Sequence, residues 1–187
     1  MTLKTCENKV IHVGYAYGWP TKDTFDCPPI GTFVRKYLTK SKISVDPFAR
    51  NKRWATYTND LNPKTKAEYH MDAYDFLVML KEKEVKADLI IFDPPYSLEQ
   101  LKRSYEDVGR YYTLEDGWKP NRWSQEKDVC VELLIDGGFF LQFGWTSWGM
   151  SRRRGFEPIE VLLVCHFADH HDTICPAERK TQRRLVP

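Results

Sequence analysis

Four consecutive residues, Asp93-Pro94-Pro95-Tyr96, directly follow the apolar run Ala87-Asp88-Leu89-Ile90-Ile91-Phe92. Residues 89–92 are apolar and isoleucine-rich, the pattern of a short strand buried on both faces. Each proline fixes φ, and the residue before each is driven extended, so the exit from that strand is stiff and its carbonyls point in defined directions. Asp93 adds a carboxylate and Tyr96 a flat ring at the carboxyl edge of a sheet, where open α/β folds bind ligands. An acceptor pair beside a stacking ring suits a planar base that carries an exocyclic amine. The plainer alternative is a tight turn that happens to contain two prolines; strand, acid, prolines and aromatic arriving in this order favour the chemical reading.

The elements that must hold this corner are legible in the hydrophobic spacing. From Pro28 the pattern is helical, with Ile30, Phe33, Val34, Tyr37 and Leu38 on one face after a Pro-Pro start. Short strands are predicted over 43–48, 55–58 and 69–71. A helix is predicted over 72–84, burying Phe76, Leu77 and Leu80. A polar helix over 97–107 precedes a loop, 109–123, rich in aromatics and charge. An amphipathic helix over 126–134 ends at Asp136-Gly137-Gly138, a helix-stopping sequence. A buried strand, 139–143, and two further strands, 159–166 and 173–178, complete the chain, the last two as a hairpin. Residues 1–27 are the least readable, an N-terminal extension in which 10–19 mixes glycine with aromatics and is either an edge strand or a loop. Strands alternating with helices and then a hairpin predict an α/β fold with a mostly parallel sheet and an antiparallel pair at its edge.

Composition bounds the answer without choosing it. The 187 residues fit one domain, 1–187, with a substantial core. A net charge of +2 is too small to imply a nucleic-acid partner by itself. Five cysteines (Cys6, Cys27, Cys130, Cys165 and Cys175) include no Cys-x-x-Cys pair, which suits a reducing cytoplasm better than a disulfide framework. No stretch has membrane-spanning length and no secretory signal pattern opens the chain, so a cytoplasmic protein without a membrane partner is expected.

Several further motifs extend the pattern: Val45-Asp46-Pro47-Phe48-Ala49-Arg50, Thr58-Asn59-Asp60-Leu61-Asn62-Pro63, His70-Met71-Asp72-Ala73, Phe143-Gly144-Trp145, and Asp172-Thr173-Ile174-Cys175-Pro176-Ala177-Glu178-Arg179-Lys180. With the Asp-Pro-Pro-Tyr corner, they make the chain resemble the S-adenosylmethionine (AdoMet)-dependent amino-methyltransferases. Within these it resembles the small adenine-specific DNA enzymes of phages and prophages. The resemblance spans residues 44–180 and implies a Rossmann-like AdoMet-dependent methyltransferase fold. It places Asp46, Pro47 and Phe48 under the methionine moiety of AdoMet, Asp60 at the ribose hydroxyls, and Asp72 with Ala73 at the cofactor's adenine. Each of these acids could instead be an ordinary cap or turn residue, as Asp before a helical pattern often is. Two departures stand out. No glycine occurs between Gly31 and Gly109, so the glycine-rich turn after the first strand is missing. The segments 49–54 and 61–68 are also too short for ordinary crossover helices, so either these helices are reduced to single turns or one of the strands is misassigned. The cofactor pocket is then open on one side, which implies either loose binding or completion by a homodimer or a partner chain.

By the same resemblance, Asp93, Pro94, Pro95 and Tyr96 form the catalytic corner. The Asp93 carboxylate and Pro94 carbonyl accept from the N6 amine of adenine, and Tyr96 stacks on the base, which must be extruded or single-stranded. Phosphate contacts are expected from Lys102, Arg103, Arg110, Arg122 and the triplet Arg152-Arg153-Arg154, placed near the same edge of the sheet. The loop 109–123 is the candidate target reader. Trp118, Trp123, Trp145 and Trp148 are candidates for stacking, with core packing the plainer role for any one of them. The stretch 165–172 crowds Cys165, His166, His170 and His171 together, but matches no zinc-ligand spacing, and no metal is expected. The substrate polymer is DNA, with RNA methylated at adenine N6 or guanine N2 as the alternative. A non-catalytic nucleic-acid-binding subunit with a degenerate cofactor site is the reading from another class.

Overall fold

The computed structural model describes residues 2–4, 10–112, 122–147 and 149–181. Strands β1 (Thr2–Lys4), β2 (Val10–Tyr17), β3 (Ser44–Asp46), β4 (Tyr57–Thr58), β5 (Ala87–Phe92), β6 (Leu134–Gln142), β7 (Phe156–Cys165) and β8 (Thr173–Lys180) form one sheet in the order β1-β2-β7-β8-β6-β5-β3-β4. Six of the eight strands (β2 to β7) run in one direction, while β8 and β1 oppose them. Helices α1 (Pro28–Leu38), α2 (Ala73–Glu82), α3 (Leu98–Glu106) and α4 (Ser124–Leu133) accompany it.

The apolar run of β5 reflects burial on both sides. Ile90 and Phe92 pack with Phe76, Leu77 and Leu80 of α2 and with Val129, Cys130 and Leu133 of α4. Leu89 and Ile91 pack on the other side with Ile30, Phe33, Val34 and Tyr37 of α1. A fully buried side chain of this kind contributes about 1.5–3 kcal/mol, so β5, sealed by helices on both faces, fixes the strand end that carries Asp93. The helices start as the sequence reads: Pro28 and Pro29 open α1, Asp72 accepts from Tyr74 N–H at 2.9 Å to cap α2, and Ser97 accepts from Gln100 N–H at 3.1 Å to cap α3.

The structure departs from the sequence reading at four places. Residues 10–17, open in the sequence between an edge strand and a loop, form strand β2, which pairs parallel to β7 from His12 to Tyr17 and has β1 outside it. The β7–β8 hairpin is consequently interior to the sheet and not an edge pair. Asp136-Gly137-Gly138 does not follow the helix as a stop. The chain enters β6 directly at Leu134, and these residues form a bulge, since Ala87 pairs with Leu134 while Leu89 pairs with Phe139. Gly138 is required there, because a Cβ would lie 2.9 Å from the Leu134 side chain and 3.1 Å from the Asp88 carbonyl. Finally, the 69–71 segment contributes a single bridge, Tyr69 to Asn59, and not a strand. The crossovers near β3 and β4 contain turns and no helix, so the expected reduction is complete.

Candidate active site

A cavity of about 650 Å³ opens at the carboxyl edge of the parallel strands, above β3, β4 and β5. Its floor is built from the ends of those strands. Buried Asn59 ties three segments together: its amide donates to the Pro47 carbonyl at 3.1 Å and the Met71 carbonyl at 3.0 Å, and its oxygen accepts from Met71 N–H at 3.1 Å. This cross-bracing holds the loop ends where crossover helices would ordinarily hold them.

Asp46 ends β3 beneath the cavity, and Pro47 and Phe48 line it. The Asp46 carboxylate accepts from Phe48 N–H at 3.0 Å. Burial pushes its pKa well up; the Phe48 hydrogen bond opposes this, and the nearby charges of Asp93 and Asp60 add to it. The missing glycine is replaced by Arg50, which adopts φ 49°, a conformation rare for a side chain of its size. Its backbone N–H donates to Asp60 at 3.1 Å, and its guanidinium donates to the Lys22 carbonyl at 2.8 Å and pairs with Asp23 at 2.9 Å. The turn thus remains left-handed without glycine, held by its own side chain.

Asp60 follows β4 and lines the cavity, accepting from Arg50 and from Asn62 N–H at 2.8 Å. Its pKa is raised by burial, with those two hydrogen bonds opposing. Asp72 caps α2 with one oxygen and accepts from the Tyr105 hydroxyl with the other at 2.8 Å. A carboxylate offers about four lone-pair sites, so both acids keep acceptor capacity toward the cavity. Ala73, Tyr105 and Trp123 complete this part of the wall. Trp123 (φ 69°) packs edge-on against Phe48, with centroids 5.3 Å apart.

At the end of β5, Asp93, Pro94, Pro95 and Tyr96 all line the cavity. The Tyr96 hydroxyl donates to Asp93 at 2.6 Å, and Tyr96 N–H donates to the Gln100 side chain at 2.7 Å, which locks the corner onto the first turn of α3. Burial lifts the Asp93 pKa to about 6, against the hydrogen bonds from Tyr96 and Thr24 and the charge of Arg50, all of which favour the carboxylate. Burial and the Asp93 charge push the Tyr96 phenol far up, so it stays protonated and donating. The ring of Tyr96 meets Trp145 edge-on at 5.9 Å, and Trp145 lies 4.5 Å from the His171 ring. His166 braces this wall. Its Nδ1 faces the Gly18 carbonyl, to which it donates, and its Nε2 is hydrogen-bonded with the Thr173 hydroxyl at 2.8 Å.

Of the cationic residues singled out in the sequence, Arg103 lines the cavity and pairs with Glu99 at 3.3 Å. Lys102 pairs with Glu106 at 3.6 Å, Arg110 is exposed after α3, and Arg122 is half-buried beside Trp123. The arginine triplet does not gather with them. It lines no part of the cavity, its turn feeds the amino end of β7, and Arg154 folds onto α4, reaching Asp128 at 2.7 Å and Ser124 at 2.7 Å. The sequence placed it near Asp93 because the length of loop 144–155 does not show how far that loop descends before β7 starts. Trp118, Trp148 and residues 113–121 of the candidate target loop lie outside the described residues. Sequence reasoning missed Thr24 and Lys22, which carry no pattern, and Tyr105, which the four-residue spacing from Leu101 could have placed on the inner face of α3.

Neither a family model nor a curated protein matches the sequence. Solved structures do match. TrmN from Thermus thermophilus superposes with a TM-score of 0.52 at 16% identity, covering 82% of this chain and 49% of that one. NSun6 from Pyrococcus horikoshii, solved with SFG, gives 0.51 at 14% identity, over 79% and 50%. The N-methyltransferase NodS from Bradyrhizobium japonicum WM9, in complex with S-adenosyl-l-homocysteine, gives 0.50 at 12% identity, over 86% and 93%. The chain thus spans about half the length of TrmN and NSun6. These likenesses establish the fold as that of the Rossmann-like AdoMet-dependent methyltransferases.

Proposed function

We propose that this chain transfers a methyl group from AdoMet to the exocyclic N6 amine of adenine in DNA, with the base extruded from the duplex or already single-stranded. The observation that carries this reading is the convergence of a proline-fixed carboxylate and a ring wall (Tyr96, Trp145 and His171) on one cavity, opposite a second set of acids, Asp60 and Asp72. The cavity is of ordinary ligand-site size. Two carboxylates with spare lone pairs fit a nucleoside, Asp60 toward ribose hydroxyls and Asp72 with Ala73 toward an adenine amine. Bound AdoMet supplies an electrophilic methyl on a sulfonium. The protein supplies positioning and charge. The Asp93 carboxylate and Pro94 carbonyl accept from the two amine hydrogens, concentrate electron density on the nitrogen and hold it in line with the methyl. Tyr96 supplies a stacking face and, through its hydroxyl, keeps Asp93 ionised.

Labelled AdoMet incubated with unmethylated genomic DNA, and separately with structured RNA, tests this directly. Label recovered as N6-methyladenine in the DNA digest is expected. Label confined to RNA would move the substrate to the other polymer, and no label with either would refute the transfer reading.

A further inference from the structure

Among the described residues, large exposed apolar side chains are scattered, except in one place. Tyr15 (58% exposed), Tyr17 (62%), Trp19 (63%) and Phe167 (39%) form a continuous chain of rings. Tyr15 meets Tyr17 edge-on at 5.2 Å, Tyr17 stacks on Phe167 at 5.8 Å with 14° between planes, and Phe167 lies 4.9 Å from Trp19. Every member is aromatic. The track is fixed to the active site at one point, since His166 bonds the Gly18 carbonyl and Gly18 N–H donates to the Cys165 carbonyl at 3.1 Å. Beyond that brace the same turn supplies His170 and His171 to the cavity wall, and the chain after Trp19 supplies Pro20, Thr21 and Lys22. Because β2 runs parallel to β5, Tyr17 and Trp19 leave the sheet at the same edge as Asp93. Four strand spacings separate β2 from β5 in the sheet order, or roughly 19 Å, the length of about five stacked bases at 3.4 Å each.

We infer that this aromatic track is a stacking platform for single-stranded nucleic acid, gripping the nucleotides that flank the target base as they leave the cavity. The inference rests on the function proposed above for that cavity. Aromatic rings accept any base face, so grip is gained without sequence reading. That suits a chain whose arginine triplet lies away from the cavity. A competing occupant is a second copy of the chain, since β1 pairs with β2 only at Val10–His12 and the outer edge of β2 beyond them carries no strand among the described residues.

The test is fluorescence anisotropy with 5′-labelled oligothymidylate of 12 nucleotides, which contains no adenine and so reports binding apart from catalysis. The double substitution Trp19→Ala/Phe167→Ala is expected to weaken binding by tenfold or more, and Trp19→Phe to retain it within about threefold. With adenine-containing DNA the double variant should raise KM while kcat stays within about twofold. Equal affinity of wild type and double variant, or no binding by wild type, overturns the inference. So does a wild-type dimer in sedimentation that the double variant dissociates without loss of oligothymidylate binding, which would assign the face to self-association. If the variant loses oligothymidylate binding but the wild type transfers no methyl group, the platform stands and the proposed reaction fails. If methyl transfer is seen and binding is unchanged, the platform alone fails.

Discussion

Tyr96→Phe separates the two jobs that the fold gives this residue. The ring proposed to stack on the base remains, and the hydroxyl is lost with its 2.6 Å hydrogen bond to Asp93 and its hydrogen bond with Thr24. In the proposed reaction, transfer needs the Asp93 carboxylate as an acceptor. With its pKa raised to about 6, wild-type kcat/KM should fall as pH drops through that value and be flat above it. The phenol donates to the ionised form and therefore holds the pKa down. A hydrogen bond to a charged group is worth about 1.5–3 kcal/mol, and one pKa unit is 1.36 kcal/mol, so its removal should move the acid limb up by roughly one to two units. The plateau at high pH should fall only a few-fold. Tyr96→Ala, which also removes the ring, should lower the plateau by a further ~10- to 100-fold through lost stacking of about 1–3 kcal/mol. The assay is methyl incorporation into DNA from labelled AdoMet between pH 5 and 9. If the acid limb of the Tyr96→Phe variant stays near 6, or moves to lower pH, the phenol does not control Asp93. A wild-type profile flat down to pH 5 would mean that burial does not raise the Asp93 pKa to about 6.

Asp93→Asn should abolish transfer yet stabilise the protein. A carboxyl whose native pKa is raised loses stability as pH rises between the unfolded value of 3.8 and about 6, so the variant should gain up to about 3 kcal/mol at pH 8 and nothing near pH 3.5; denaturant melts at the two pH values check this, and equal gains at both would contradict it. Arg50→Gly should be more stable than Arg50→Ala by about 1 kcal/mol, because both lose the Asp23 pair but only glycine relieves the positive φ; the reverse order would mean that the left-handed turn is not what residue 50 is selected for. Reversing exposed Arg152 and Arg153 to glutamate should leave kcat unchanged; if they contact phosphates, the slope of log affinity against log salt should flatten by about 2, at roughly 0.9 per phosphate contact, and an unchanged slope assigns the triplet to packing on α4.

The parts of this molecule that could be read from sequence are those where one local pattern decides the outcome. β5 is continuous and apolar because helices cover both its faces, and the Pro-Pro corner is stiff whatever surrounds it. Helices α1, α2 and α3 announce themselves by proline, Asp72 and Ser97 at their starts. The unread parts are those decided by distant pairing. β2 has the mixed composition of a half-exposed strand, and only its partner β7, near the other end of the chain, makes it one. Asp136-Gly137-Gly138 is equally good helix stop and strand bulge, and the choice rests on contacts beyond the local pattern, since a side chain at Gly138 would crowd both the Leu134 side chain and the Asp88 carbonyl. The glycine-free turn looked like a defect because glycine is the usual way to reach positive φ. The fold reaches it with Arg50, at a cost of about 1 kcal/mol, set against an ion pair to Asp23 and a hydrogen bond to Lys22 of the N-terminal segment. That exchange explains why residues 20–24 belong to the site. They are the counterpart that the strained arginine needs, and the same segment brings Thr24 to Asp93 and follows directly on Trp19. The N-terminal extension is thereby the element that touches Asp93, holds the first-strand turn and carries most of the aromatic track.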